Sequence, residues 1–288
     1  MGGQTRNDGP PGPFGPSDRR RVVDDTGRAV AVPDRARRIV SIVPSLTESV
    51  ALSAPGLLVG ATDWCSHPAD LAVRRVRGTK NPDHAAIAEC APDLVLANAE
   101  ENRAVDLDAL RAAGLPVYVT APTTVDEALE SLRRMLVGAC GLAEPGWLAR
   151  AREAWAALPA GEPGQVGKAS GPGGTGGPSR RRALIPIWRR PWMALGRDTF
   201  AGDVLRRLGV DNVLAGHAER YPRVDLADLP PCDLVVLPDE PYAFSPADGP
   251  EMFPDTPAAC VSGRHLTWYG PSLAEAPAVL GAALAAAG

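Results

Sequence analysis

Short β-branched apolar runs alternate along most of this chain with stretches of helical spacing, and each run ends on a polar or proline-containing turn. The first is Arg38-Ile39-Val40-Ser41-Ile42-Val43, which stops at Pro44-Ser45-Leu46-Thr47-Glu48, where Ser45 and Glu48 have capping-box spacing. A strand feeding directly into a helix is expected, with Ser45 as the helix cap rather than a nucleophile, since no G-x-S-x-G accompanies it. The same order returns in Pro92-Asp93-Leu94-Val95-Leu96-Ala97 and Leu115-Pro116-Val117-Tyr118-Val119-Thr120, with helix-like sequence between them. Strands separated by helices imply parallel pairing and a βαβ lobe. Ahead of them, residues 22–30 alternate around Thr26-Gly27, which predicts a small hairpin decorating an edge.

A second capping box, Thr124-Val125-Asp126-Glu127, precedes Val125, Ala128, Leu129, Leu132 and Leu136 at helical spacing. This predicts a long helix leaving the first lobe, interrupted near Gly141 and Pro145 and resuming through Trp147, Leu148, Ala151, Trp155 and Leu158. From Pro159 to Arg180 the composition turns to Gly, Pro and Ser, too poor in apolar residues to offset its ordering entropy. Beyond it, Ala183-Leu184-Ile185-Pro186-Ile187-Trp188 opens a second lobe, and Asp233-Leu234-Val235-Val236-Leu237 echoes Asp93-Leu94-Val95-Leu96-Ala97 on the scale of a whole domain. The expected class is α/β, with two Rossmann-like βαβ lobes of parallel sheet joined by a long backbone helix and a ligand cleft between them. The expected divisions are a disordered leader (1–20), an N-terminal α/β lobe (21–122), a linking helix (123–158), a flexible insertion (159–180) and a C-terminal α/β lobe (181–288).

Composition narrows the function classes. A net charge of -4 with 30 basic residues spread along the chain gives no basic stripe for nucleic acid. The apolar stretches fall short of the ~20 residues of a membrane span. Residues 1–20 carry no apolar run of the kind a secretory signal needs, so a cytoplasmic location is expected as written, or an extracytoplasmic one if the start is misassigned. The five cysteines lie far apart without C-x-x-C spacing and are expected as small buried thiols. His67, His84, His217 and His265 form no i, i+4 pair, and no phosphate loop follows a strand, so neither a resident metal nor an intrinsic cofactor is expected.

Ligands of open parallel sheets bind outside the carboxyl ends of the strands. In the first lobe those positions hold Pro44 and Ser45, Asp63 and Trp64, then Asn98, Glu100, Glu101 and Arg103, with Lys80 on the same rim. In the second they hold Trp188, Arg189 and Trp192, then Asp239, Glu240 and Tyr242, then Trp268 and Tyr269. Aromatic walls with a few polar anchors suit a large planar ligand, although the rings could equally close the sheet ends. Two other classes stay open: an enzyme pairing Glu100 or Glu101 with Asp239 or Glu240 as acid and base, and a ligand-sensing or scaffold protein whose partner reads lobe closure.

With Ile42-Val43-Pro44-Ser45-Leu46-Thr47-Glu48 near the start and Val59-Gly60-Ala61-Thr62-Asp63-Trp64-Cys65 after it, the chain resembles the helical-backbone (class III) substrate-binding proteins of cobalamin and iron-chelate ABC transporters, most of all their cobalamin-binding branch. The resemblance implies non-catalytic binding of a corrinoid, ferric siderophore or haem between lobes that move little, in a monomer served by an ABC permease. Pro44, Trp64, Trp188 and Trp268 fall where such relatives line the cleft. Lys80 and Asn98 fall where they can carry aromatic residues. The acids that dock such proteins on the permease correspond to Ala85 and Ala227, with Asp83 and Asp225 or Asp228 as neighbouring substitutes.

Overall fold

A computed structural model describes residues 19–158 and 180–287 of the chain. The leader and insertion expected at 1–20 and 159–180 lie outside them, apart from Arg19, Arg20 and Arg180. Strands β1 (Arg19–Val23) and β2 (Ala29–Pro33) form the antiparallel hairpin, turned at Gly27 with φ of 80°.

Next come β3 (Ile39–Ser41), α1 (Pro44–Ser53), β4 (Leu58–Ala61), β5 (Arg74–Arg75), a two-residue ribbon of β6 (Arg77–Gly78) and β7 (Asn81–Pro82), α2 (His84–Glu89), β8 (Leu94–Asn98), α3 (Ala104–Ala112) and β9 (Val117–Thr120). The five-stranded sheet has the order β5-β4-β3-β8-β9, with every pair parallel. The hairpin leans on its β9 edge, where the Asp25 N–H donates to the Val119 carbonyl at 3.0 Å. Alternation sorts the two faces: Ile39, Leu94 and Leu96 point into one core, and Val40, Val95 and Ala97 into another.

The start of α1 differs from its expected form. The helix begins at Pro44, its N-cap is the extended Val43, and no side chain caps it. Proline disfavours helical backbone in the residue before it and suits the first helical position itself. Ser45 therefore sits two positions past the N-cap, too late to cap, and Glu48 is free to pair elsewhere.

The capping box at Thr124 forms as expected, with the Glu127 N–H donating to Thr124 Oγ1 at 3.2 Å and the Glu127 carboxylate reaching back. It starts α4 (Val125–Arg133), which runs on through a π-helical turn (Arg134–Ala139). Gly141, at φ of 68°, breaks the run before α5 (Gly146–Ala156). The connection is thus a pair of helices rather than one rod.

The second lobe holds β10 (Arg181–Leu184), an antiparallel hairpin of β11 (Pro186–Arg189) and β12 (Trp192–Ala194), α6 (Phe200–Arg207), β13 (Val210–Asn212), β14 (Leu234–Pro238), β15 (Ala258–Val261), α7 (Gly263–Thr267) and α8 (Ala276–Ala286). Its parallel sheet has the order β13-β10-β14-β15. The echo between Asp93 and Asp233 is structural. Asp93 accepts backbone N–H bonds from Arg37 and Arg38 at 2.8 and 3.1 Å, and Asp233 accepts the Arg182 N–H at 3.0 Å. Each carboxylate fixes the register of the central strand it precedes against its neighbour. One apolar core then runs unbroken from Ile39 and Leu96 through Leu132, Leu136, Leu148 and Trp155 to Ala183, Val236 and Leu280, so the helix pair is packed by both lobes.

Candidate ligand-binding site between the lobes

The carboxyl ends of both sheets meet at a seam bridged by side chains from each lobe. Tyr269, just after α7, is buried, and its hydroxyl lies 2.6 Å from Asn98 Nδ2 and 2.8 Å from Thr120 Oγ1 at the tips of β8 and β9. Asn98 has no free polar atom to offer. Its amide also donates to the Thr120 carbonyl at 2.9 Å, and its Oδ1 accepts the N–H groups of Glu100 and Glu101 at 2.8 and 2.9 Å. Pro44 and Ser45 are buried, with Gly270 closing on the Ser45 carbonyl. These four residues join the lobes instead of facing open space.

The seam continues through Arg264, which pairs with buried Glu48 on α1, and through Arg220, whose guanidinium lies 3.3 Å from the Glu100 carboxylate. Lys80 donates to the Glu100 carbonyl at 2.6 Å. His67 meets the edge of Trp268 at 5.4 Å between ring centroids, and Trp268 Nε1 donates to Glu240 at 2.9 Å. Two residues past Glu240, Tyr242 packs edge-on against Trp188 at 5.7 Å.

Trp64 lies three residues before His67 in the first lobe, and Trp188 packs on Tyr242 in the second. Both indoles are solvent-facing, Trp64 at 69% and Trp188 at 42% of full exposure, on opposite lobes. Asp63 is exposed beside Trp64. Arg189 is not an open anchor, since it pairs with Asp248 and, at 2.5 Å, with Glu251 of its own lobe. Trp192 stacks on Phe244 at 6.0 Å and belongs to that lobe's small apolar cluster.

Burial pushes the carboxyls of Glu100, Glu101 and Glu240 above their ordinary range. Lys80 and Arg220 counter this at Glu100, and Lys80 at Glu101, while Glu240 adds repulsion to Glu101 across the seam. At Glu240 the Trp268 bond opposes burial, and Asp239 reinforces it. A cavity of about 430 Å³ lies under the hairpin turn, lined by first-lobe residues alone, among them Arg28, Ala99, Asn102, Leu107 and Arg111. The seam remains the better candidate because it gathers the carboxyl ends of both sheets.

Of the residues expected at strand ends, Glu101, Glu240 and Trp268 lie along this seam, with Trp64 and Trp188 exposed on either lobe, whereas Glu48, His67, Arg220 and Arg264 were not among them. Arg264 follows β15 closely enough for the strand-end rule to have included it. Arg220 sits in a loop with no local signal.

Two parallel α/β lobes joined through helices, with their strand ends facing, form a fold shared with several solved binding proteins. Solved structures with this fold include the periplasmic vitamin B12-binding protein BtuF of Vibrio cholerae, 18% identical over 88% of this chain and 98% of that one at a TM-score of 0.67. The haem-binding protein BhuT, solved with two haems, is 22% identical over 87% of this chain and 98% of its own at 0.66. CeuE of Helicobacter pylori, solved with nickel and histidine, is 12% identical over 92% and 88% at 0.72. No protein-family model matches the chain, and no curated protein matches its sequence. BtuF, BhuT and RhuT of Roseiflexus are each described as periplasmic, which overturns the expected cytoplasmic location.

Proposed function

We propose that this protein reversibly binds a corrinoid or metal chelate between its lobes and leaves it chemically unchanged. The observation that carries the reading is that two exposed indoles, Trp64 and Trp188, stand on opposite lobes, and the edge contact of His67 with Trp268 joins those lobes between them. Exposed indoles gain by covering a large flat ligand, and the continuous core through α4 and α5 holds the two walls at a fixed spacing. An extracytoplasmic setting and delivery to an ABC permease fit this reading. Asp83 and Asp225, which cap the helical turns that follow them, are the acids we assign to permease docking.

Titration with cobinamide, haemin and a ferric siderophore should quench tryptophan fluorescence saturably with one of them. Trp64→Ala and Trp188→Ala are each expected to weaken that binding about tenfold, the loss of one aromatic wall. Fluorescence unchanged by all three ligands would overturn the proposal. Raised carboxyls from both lobes also suit acid–base chemistry, and ligand recovered altered after incubation would favour that second reading.

A further inference from the structure

The recess under the hairpin turn is built from one face of α3, where Ala104, Leu107 and Arg111 follow at i, i+3 and i+7, and from Val119 of β9, with Arg28 overhanging it from the turn. Leu107 and Val119 give it a buried apolar floor. A smaller recess of about 210 Å³ shares Arg28 and Arg111 as its wall and adds Arg19. The two guanidiniums therefore stand where the recesses meet.

The rim is fixed by hydrogen bonds. Asp24 Oδ1 accepts the N–H groups of Thr26 and Arg28, each at 3.0 Å, which sets the backbone of the turn. Asp25 ties the turn to the lobe by giving its N–H to the Val119 carbonyl and accepting the Ala121 N–H at 3.0 Å and Arg134 Nη2 at 2.8 Å. The cations are less engaged. Among the described residues Arg28 bonds only through its backbone, and Arg111 gives Nη1 to Asp108 at 3.0 Å but leaves Nη2 without an acceptor. No Asp or Glu lines either recess among those residues. Asn102 is no anchor, since its oxygen holds the Asn98 N–H and its amide holds the carbonyls of Ile42 and Thr79.

We infer that this recess is a second small-molecule site, separate from the interlobe seam, for an organic anion with an apolar body: a carboxylate or phosphate monoester whose head lies between Arg28 and Arg111. Guanidinium groups hold such heads by paired, charge-assisted N–H bonds, and an anion between two of them relieves their mutual repulsion. The apolar body lies over Leu107 and Val119. The rise from Ala104 to Arg111 is about 10 Å at ~1.5 Å per residue, which limits the ligand to roughly that length. A preformed recess of about 430 Å³ is within the size range of small-molecule sites.

Amide NMR spectra of the full chain, titrated with hydrocinnamate, phenyl phosphate and the neutral hydrocinnamyl alcohol, test this. At least one anion is expected to shift the amides of Gly27, Ala104 and Val119 saturably, with a Kd of about 1 mM or tighter. Whichever anion binds tighter identifies the head group. The alcohol should bind at least about tenfold more weakly, and Arg28→Glu should weaken the anion by about tenfold or more, with amides outside the recess unmoved. Neither anion shifting these amides overturns the inference. So does an alcohol that binds as tightly as the anions, or an Arg28→Glu variant that keeps the affinity of the wild type. Because no residue of the second lobe lines the recess, each of these outcomes leaves the interlobe reading as it stands.

Discussion

Replacing Arg264 with alanine is expected to lower the unfolding free energy by about 3–5 kcal/mol, the cost of leaving a buried carboxylate without its partner. The pair joins the lobes: Arg264 comes from α7 and Glu48 from the second turn of α1. The Glu48 side chain is only 3% exposed, so water cannot replace the guanidinium without opening the seam. Chemical denaturation of wild type and variant measures the difference. The control is the double variant Glu48→Leu with Arg264→Met, which removes both charges and should recover stability to within about 1 kcal/mol of wild type, because buried pairs are often no better than an apolar replacement. A double variant as unstable as Arg264→Ala would mean that packing of the Arg264 stem matters more than the charge.

The second large effect is expected at Asp203. This carboxylate on α6 is 8% exposed and accepts the first N–H of α4, from Val125, at 2.9 Å, while also holding Arg206 at 2.6 Å and Arg207 at 3.0 Å. Burial alone would raise its pKa, but the Val125 N–H and the two arginines outweigh that and hold it below the ordinary range. Asp203→Ala leaves a buried helix N–H unanswered and Arg206 without its carboxylate, with Arg207 keeping only Asp126 at 2.6 Å, at a cost of about 2–4 kcal/mol. Asp203→Asn keeps an oxygen for the Val125 N–H and should cost less. Because the folded pKa lies below the unfolded one, the contribution of Asp203 is fully present above the unfolded pKa of about 3.9 and is lost as pH falls through the folded value. The wild-type acid limb of stability against pH should therefore flatten in Asp203→Ala. An identical acid limb in the two proteins would contradict this assignment.

The parts of the fold that were legible in the sequence are those written in local patterns. The continuous apolar stretches at Leu94–Asn98 and Leu234–Pro238 became central parallel strands, and the Asp before each was readable as an echo even though its backbone bonds were not. The Thr124 capping box and the break at Gly141 were likewise local. Ser45 shows how one local signal overrides another. Its spacing to Glu48 is that of a capping box, but Pro44 fixes the helix start two residues earlier.

The candidate site was legible only in part, because strand ends can be located from sequence whereas partners across the seam cannot. Nothing within a few residues of Asn98 tells that Tyr269 will occupy its amide, or that Arg189 will be held by Asp248 and Glu251. Pairings of this kind depend on how two lobes close, which is set by the shared core around α4 and α5 and not by any periodicity.

We propose above that a chelate or corrinoid occupies the space between Trp64 and Trp188. Thermal unfolding of the purified protein against cobalamin, cobinamide, haemin, ferric siderophores and free divalent metals tests it most directly, since a ligand that binds only the native state adds about 2.7 kcal/mol at a hundredfold excess over Kd. A saturable rise in melting temperature is expected with one chelate class, reduced in the Trp64→Ala and Trp188→Ala variants. A melting temperature unmoved by every member of the panel, or a shift that both variants retain in full, would contradict it.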